Sequence, residues 1–465
     1  MDTTSVAARR WILAVMCTGM FLVQLDVTVV NVALPHIGTA LHSGLAGMQW
    51  VVDSYTVILA AFLLLGGVVG DRLGHRTVVL TGLGLFGVAS LLCGLAPGTA
   101  TLVGARALQG LAAALLLPST LAVVNTTFPE RAEQARALGI WAGVSALALP
   151  AGPLLGGVLV TAAGWRAVFL INLPVVAVAL YLTQKLVSKD RPARGHRLDA
   201  IGAIGTAVVL TALVYCVITT GHAGVSSSTL WSALVAIGAA VALALWERRT
   251  PDPMLPPALL RKADFVGANV VAAIMNFVGI GAVFVITLYL QGVQHHDPLT
   301  AGAMLLPLFL PLAVCAPLTG RLAARYGPRP PMLGGLVLGA VGAAFLPLIG
   351  PDSSYLVLAP ALLGIGLGMG LLTPSVVAAA LQAGPPERPG LSSGVNNTAR
   401  QAAGALGIAV FGAMVHDPSA PADFTSGLHL VGMLSVALWL IAAALTLLTV
   451  PRPAELRDRT GSHAE

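Results

Sequence analysis

Three side chains able to carry charge stand out inside long apolar runs of this 465-residue sequence: Asp26, Asp53 and Arg106. A charge at bilayer depth costs at least about 2.5 kcal/mol, so a functional role is the working hypothesis for each. Burial favours a protonated carboxyl, and a neighbouring guanidinium favours an ionised one. A movement or a ligand that tips this balance moves a proton, so the three residues together read as a proton-coupling element. A static buried ion pair that fixes helix packing stays open as the other reading. Asp53 is also shallow enough for water to reach it with no role at all.

Those residues need helices to hold them in lipid. Of the whole sequence, 57% is hydrophobic and only 9% charged, against about 25% charged in a soluble domain. Mean hydropathy is +0.87. This composition excludes an ordinary cytosolic enzyme, a secreted disulfide scaffold and a disordered chain. The net charge of +6 lies in short clusters between apolar runs, the pattern of a polytopic membrane protein and not of a nucleic-acid binder. Cys17, Cys93, Cys216 and Cys315 each stand alone in an apolar run, without metal-ligand spacing. No GxxxxGK[ST] loop is present, so any pumping has to draw on a gradient. The expectation is therefore no metal, no cofactor and no enzymatic activity.

Apolar runs long enough to span start near residues 11, 48, 77, 100, 135, 166, 200, 227, 265, 299, 331, 355, 395 and 427. The predicted fold is an all-α membrane protein of 14 helices. The run from Trp11 is too long for a signal-peptide core and is read as a retained first span. Arg and Lys fall in alternate connections: Arg9 and Arg10, then Arg72 and Arg76, Arg131 and Arg136, Lys185 to Arg197, Arg248 to Lys262, Arg321 to Arg329, Arg388, and Arg452 to Arg459, with Arg166 the exception. By the positive-inside rule both termini are cytoplasmic. Trp11, Trp50, Trp165, Trp231 and Trp246 sit at predicted span ends and are read as interfacial anchors.

The sequence also repeats itself. Gly67, Arg72, Gly74 and Arg76 recur as Gly320, Arg325, Gly327 and Arg329, all at an offset of 253. Pro118-Ser119 recurs as Pro374-Ser375, and Pro129-Glu130-Arg131 as Pro386-Glu387-Arg388. Two six-helix halves, 11–187 and 265–450, follow, with two inserted helices and cytoplasmic linkers in 188–264 and a tail in 451–465. Parallel halves with a midplane site between them are a transporter architecture.

In the fifth span Gly139 and Gly143 are one turn apart, as are Gly152 and Gly156, a spacing that lets helices approach closely. Pro150 and Pro153 favour a bend. Asp71 stands beside Arg72 and Arg76, where a carboxylate could cap a helix and pair with arginine; an ordinary solvated loop fits as well. In the second half Asn269 and Asn276 share a helix face, and Asn396, Asn397, Arg400 and Gln401 cluster at the start of the thirteenth span. Packing is the favoured reading for these, with a cavity lining as the alternative.

Taken together, these pieces resemble the major facilitator superfamily, in particular its 14-helix drug:proton antiporters of the actinomycete antibiotic-exporter, methylenomycin-resistance type. The segment from Asp26 to Pro35, DVTVVNVALP, matches the signature of that family's first helix. Gly67 to Arg76 resembles the superfamily loop GxLaDRxGRK, with His75 and Arg76 in place of Arg and Lys. LxxxRxxQG is present as Leu102, Arg106, Gln109 and Gly110, and GPxxGG as Gly152, Pro153, Gly156 and Gly157. The resemblance implies that Asp26 binds protons, that Arg106 belongs to proton transfer, that the fifth-span glycines seal the interface between halves against proton leak, and that Asp71 helps lock one conformation. It also favours export over import. Relatives that expel divalent cations carry an acid in the tenth span; here 299–323 has none and Asp297 lies just outside, which points to neutral, zwitterionic or singly charged compounds.

The resulting expectation is a proton-coupled multidrug or antibiotic efflux transporter of the cell membrane, working by alternating access; a transporter of one specific metabolite is the alternative. Asp26, Asp53 and Arg106 carry the proton coupling. Gln24, Asn31, Gln109 and Asn276 line the substrate cavity. Gly67, Asp71, Arg72, Gly74, Arg76, Gly143, Gly152, Pro153, Gly156 and Gly157 form the gating motifs. Expected partners are protons, a small amphipathic drug-like compound and the bilayer, with no nucleic acid, and the chain is expected to be a monomer.

Overall fold

The computed structural model describes residues 6–188, 199–250, 253, 258–385, 388–415 and 417–451. The linker cations Lys189, Arg191, Arg194 and Arg197, the repeated Pro386-Glu387 pair and the tail after Pro451 lie outside them. Among the described residues every regular element is helical. The first part of the chain forms α1 (Val6–Ala40), α2 (Leu45–Leu73), α3 (His75–Gly94), α4 (Thr99–Thr127), α5 (Arg131–Ala163), α6 (Ala167–Leu170) and α7 (Asn172–Leu186). Then come α8 (Ala200–Ala223) and α9 (Ser227–Arg249). The remainder forms α10 (Ala263–Leu288), α11 (Pro298–Met304), α12 (Leu306–Tyr326), α13 (Arg329–Ala343), α14 (Tyr355–Ala383), α15 (Pro389–Met414) and α16 (Pro421–Thr449).

Helices are the required solution here, because lipid leaves backbone polar groups no partner outside the segment itself. Among the described residues twelve segments are long and apolar enough to cross a membrane; α11 with the start of α12 makes a thirteenth, bent by 44°. The bend falls beside Pro307, which has no amide hydrogen to continue the ladder. α15 has ample length, 26 residues, but carries several polar side chains. With it the helices accommodate the fourteen predicted spans.

The chain forms two compact units. One comprises 1–213, 231–254 and 297–303; the other comprises 214–230, 255–296 and 304–465. Each has its own core. In the first, Met16, Val23, Leu59, Phe86 and Leu116 are buried together; in the second, Phe265, Phe284, Phe411 and Trp439 are among the fully buried side chains. α8 and α9 expose Ile201, Ile204, Leu234 and Ile237, side chains that belong in lipid.

Inside each unit the same helix pairs pack. α1 packs on α5, α2 and α3 pack on α4, and α3 packs on α7; correspondingly α10 packs on α15, α12 and α13 pack on α14, and α13 packs on α16. The correspondence reaches single atoms. A Cβ on Gly110 would strike the Tyr55 carbonyl, and a Cβ on Gly366 would strike the Leu308 carbonyl. Tyr55 and Leu308 are 253 residues apart, and Gly110 and Gly366 share the offset of Pro118 and Pro374. Arg76 Nη2 donates to the Gln184 carbonyl (2.7 Å) at the end of α7, and Arg329 Nη2 donates to the Leu447 carbonyl (2.9 Å) at the end of α16. In both places a cation meets the unsatisfied, negative end of a helix.

Candidate proton-coupling site

Five elements of the first unit converge on one buried polar network. Asp26 comes from α1 and Arg106 from α4, both fully buried. The charges find each other directly: Arg106 Nη1 donates to Asp26 Oδ2. Arg106 Nη1 also donates to Gln109 Oε1 (2.9 Å), one turn further along α4. Arg106 Nε donates to the Val51 carbonyl on α2 (3.0 Å). Gln109 Nε2 reaches Asp26 Oδ1 (3.4 Å) and Ser90 Oγ on α3 (2.9 Å), and Asn172 Nδ2 on α7 donates to the same hydroxyl (3.3 Å). Cys93 Sγ contributes a further donor to Gln109 Oε1 (3.2 Å). The Tyr55 ring lies 4.4 Å from the guanidinium carbon, and its hydroxyl is anchored on the Val23 carbonyl (3.2 Å). Arg106 is therefore held by charge, by hydrogen bonds and by an aromatic face, each stronger where water is excluded.

The remaining predicted residues distribute as follows. Asp53 on α2 is fully buried, but neither of its oxygens has a hydrogen-bond partner among the described residues; it stands apart from the Asp26–Arg106 bond. Gln109, predicted as cavity lining, is fully buried inside the network. Asn31 is buried and spends its Nδ2 on the Val27 carbonyl of its own helix (2.8 Å). Gln24 is half-buried on α1. Asn276 lies in the second unit, where its Oδ1 accepts from Arg400 Nε (3.3 Å). Among the described residues no group of His, Cys, Asp or Glu is arranged to hold a metal ion.

Among the motif residues, Gly152 and Gly156 bring α5 against Thr28 and Val29 of α1, and Gly157 faces Pro298 and Leu299. Pro153 lies inside α5, and its carbonyl faces Gly302. A side chain on Gly143 would meet nothing within 4 Å, and one on Gly67 only Pro118 at 3.7 Å. Gly74 takes φ +88° at the junction of α2 and α3, where glycine is at ease. Asp71 sits in the last turn of α2 and makes no helix cap; the i,i+4 spacing sets it 3.3 Å from His75 Nε2, so histidine takes the place expected for arginine. Arg72 is half-buried in the same turn. Trp165, read as an interfacial anchor, is buried edge-on against Phe169, with the Arg166 guanidinium over its ring at 4.3 Å. Asp297 caps α11 by accepting from Leu299 N and Thr300 N (both 3.0 Å) and from Thr300 Oγ1, bonds that hold its carboxyl below the ordinary range.

Sequence reasoning passed over Ser90, Cys93, Tyr55 and Asn172. Each is unremarkable in a helical run, and only the convergence of α2, α3, α4 and α7 gives it a role.

Comparison with known proteins agrees with this architecture. The family described as Major Facilitator Superfamily matches residues 16–408. The chain is 35% identical to the methylenomycin A resistance protein of Streptomyces coelicolor, across 87% of this chain and 85% of that one. It is 37% identical to the multidrug resistance protein Stp of Mycobacterium tuberculosis, across 85% and 74%, and 35% identical to the puromycin resistance protein of Streptomyces alboniger, across 98% and 94%. Among solved structures it resembles a POT family transporter in complex with 5-aminolevulinic acid, with a TM-score of 0.70, 14% identity and coverage of 94% and 96%. A bacterial homolog of the human lysosomal transporter Spinster gives 0.67 at 18% identity, covering 96% and 98%.

Proposed function

This chain belongs to the major facilitator superfamily, and on that premise we propose that it exports small amphipathic toxic compounds, antibiotics among them, in exchange for protons. The observation that carries this reading is the buried Asp26–Arg106–Gln109 network, supported by relatives named for antibiotic resistance and multidrug efflux. In this reading Asp26 alternates between an ionised form, bound by Arg106 and Gln109, and a protonated form that frees the guanidinium. Arg106 then has to find other partners, and the helices carrying the two groups rearrange as it does. Asp53, whose oxygens have no hydrogen-bond partner among the described residues, is the second carboxyl of the element, with a proton as its available partner.

The protein works by alternating access of its two halves as a monomer in the cell membrane, with both termini cytoplasmic. The proton gradient is its energy source. It needs no cofactor and changes no covalent bond in its cargo. Everted vesicles energised with a pH gradient test the proposal. Antibiotics and dyes on the substrate list collapse the gradient, and Asp26→Asn abolishes that response at equal expression. Full proton-coupled export by Asp26→Asn would sink the assignment. A silent panel would turn the search to uptake of a specific metabolite.

A further inference from the structure

The second unit holds a membrane-depth cation that the proton-coupling network does not use. Arg400 is the twelfth of the 26 residues of α15, about 17 Å from its start at 1.5 Å per residue. Asn276 lies at a matching depth, fourteenth of 26 in α10. Among the described residues Arg400 bonds only the Asn276 amide oxygen, through Nε, and no carboxylate lies within ion-pair distance. An arginine in mid-membrane normally has an acid beside it; this one is given a neutral acceptor that orients it and leaves its charge uncompensated.

The surroundings show where that charge points. Asn397, Arg400 and Gln401 are spaced i, i+3 and i+4, so they share one face of α15. All three are half-buried, not sealed, and Asn397 and Gln401 make no side-chain hydrogen bond among the described residues. Asn396, next along the helix, is buried instead and donates to Asn269 (3.1 Å), closing the packed face against α10. Partly exposed amide and guanidinium groups at this depth do not face hydrocarbon, where each unsatisfied group costs several kcal/mol. Water or a polar ligand beside this face would satisfy them.

We propose that Arg400, oriented by Asn276 and flanked by Asn397 and Gln401, binds the anionic oxygen of the transported compound, so that the cargo is a singly charged organic acid bearing a carboxylate or phenolate. The inference rests on the efflux reading above and narrows its substrate class. With Nε committed to Asn276, the two terminal nitrogens of the guanidinium present paired donors, a geometry suited to a carboxylate. Asn397 and Gln401 supply further donors on the same face.

The test uses the full-length protein in lipid nanodiscs without any gradient, and titrates salicylate, naphthoate and coumarin carboxylate, each paired with its methyl ester, and tetraphenylphosphonium as a cation. Each acid binds about 10- to 100-fold more tightly than its ester, the value of hydrogen bonds to a charged group. Arg400→Gln removes that difference and leaves ester affinity unchanged. Should Arg400→Gln fail to fold, Arg400→Lys gives the same answer through acid affinity reduced about 10-fold with the ester unaffected, because an ammonium cannot hold Asn276 and a carboxylate in the same fork. Equal binding of acid and ester, no binding of any acid, unchanged acid affinity in either folded variant, or equally effective competition by chloride or phosphate overturns the assignment. The efflux reading is scored separately, from pH-gradient collapse in energised vesicles. Collapse by the cation or the esters and not by the acids overturns the acid site and leaves efflux standing. Acid binding without collapse keeps the site and removes proton coupling.

Discussion

Arg106 is over-determined: one side chain bonds Asp26, Gln109 and the Val51 carbonyl and lies against Tyr55. Removing one member of such a buried pair strands the other charge, at a cost of about 3–5 kcal/mol, whereas removing both charges costs much less. Arg106→Gln and Asp26→Asn should therefore each lower the melting temperature of the purified protein clearly, and the double variant should recover much of that loss. Additive losses in the double-mutant cycle would show that the two side chains are not energetically coupled. Asp26 and Arg106 were legible in the sequence because a charge inside a 20-residue apolar run is conspicuous. Ser90 and Asn172 were not, since a single small polar residue in a helix gives no sign of its partners. Asp53 was equally conspicuous, yet no spacing along one helix could show that it would stand apart from the arginine.

At the scale of elements the sequence placed the helix starts to within about half a dozen residues, because apolar length is the one quantity lipid imposes. It did not show that the run from 299 breaks at Leu305, for a proline near a span's start is compatible with a straight helix as well as with a bent one. It did show that the loop at 67–76 recurs at 320–329, and the structure adds what the recurring arginine does. Arg76→Ala and Arg329→Ala should each speed amide hydrogen exchange in the last turn of the helix they tie, α7 and α16 respectively, and leave the other unaffected. Exchange that is unchanged, or that spreads across both helix ends, would contradict a local tie. The cap on α11 responds to pH in a defined direction. Its hydrogen bonds favour the ionised Asp297, so the stabilisation is complete above the ordinary carboxylate range and fades as pH falls through the lowered value. The protection factors of the Leu299 and Thr300 amides, taken relative to the intrinsic exchange rate at each pH, should fall on acidification, Asp297→Ala should show the lowered protection already at neutral pH, and Asp297→Asn, itself a good cap, should stay protected.

For the whole molecule the limit is thermodynamic. One inward proton under a total force of about 180 mV supplies roughly 4 kcal/mol, which at perfect coupling sustains about a thousandfold gradient of a neutral compound. Proteoliposomes with that force clamped should not exceed this ratio if each cycle admits one proton; a steady ratio a hundred times larger would require a second proton, and Asp53→Asn would then bring it back down.

Gly110 and Gly366 close on the backbone of corresponding residues, and Arg76 and Arg329 fasten corresponding helix ends. At the offset that relates those glycines, however, Arg106 falls on Leu362 and Gln109 on Ile365, both buried and apolar. At the offset of Pro129 and Pro386, Arg400 falls on Gly143, beside which a side chain would meet nothing. The two copies of the repeated unit thus share their framework and differ in their chemistry. A homodimer of identical subunits would be obliged to carry every ionic group twice, related by symmetry. Joining the copies in a single polypeptide lifts that obligation, so that one half alone carries the Asp26–Arg106 pair and the other alone carries Arg400.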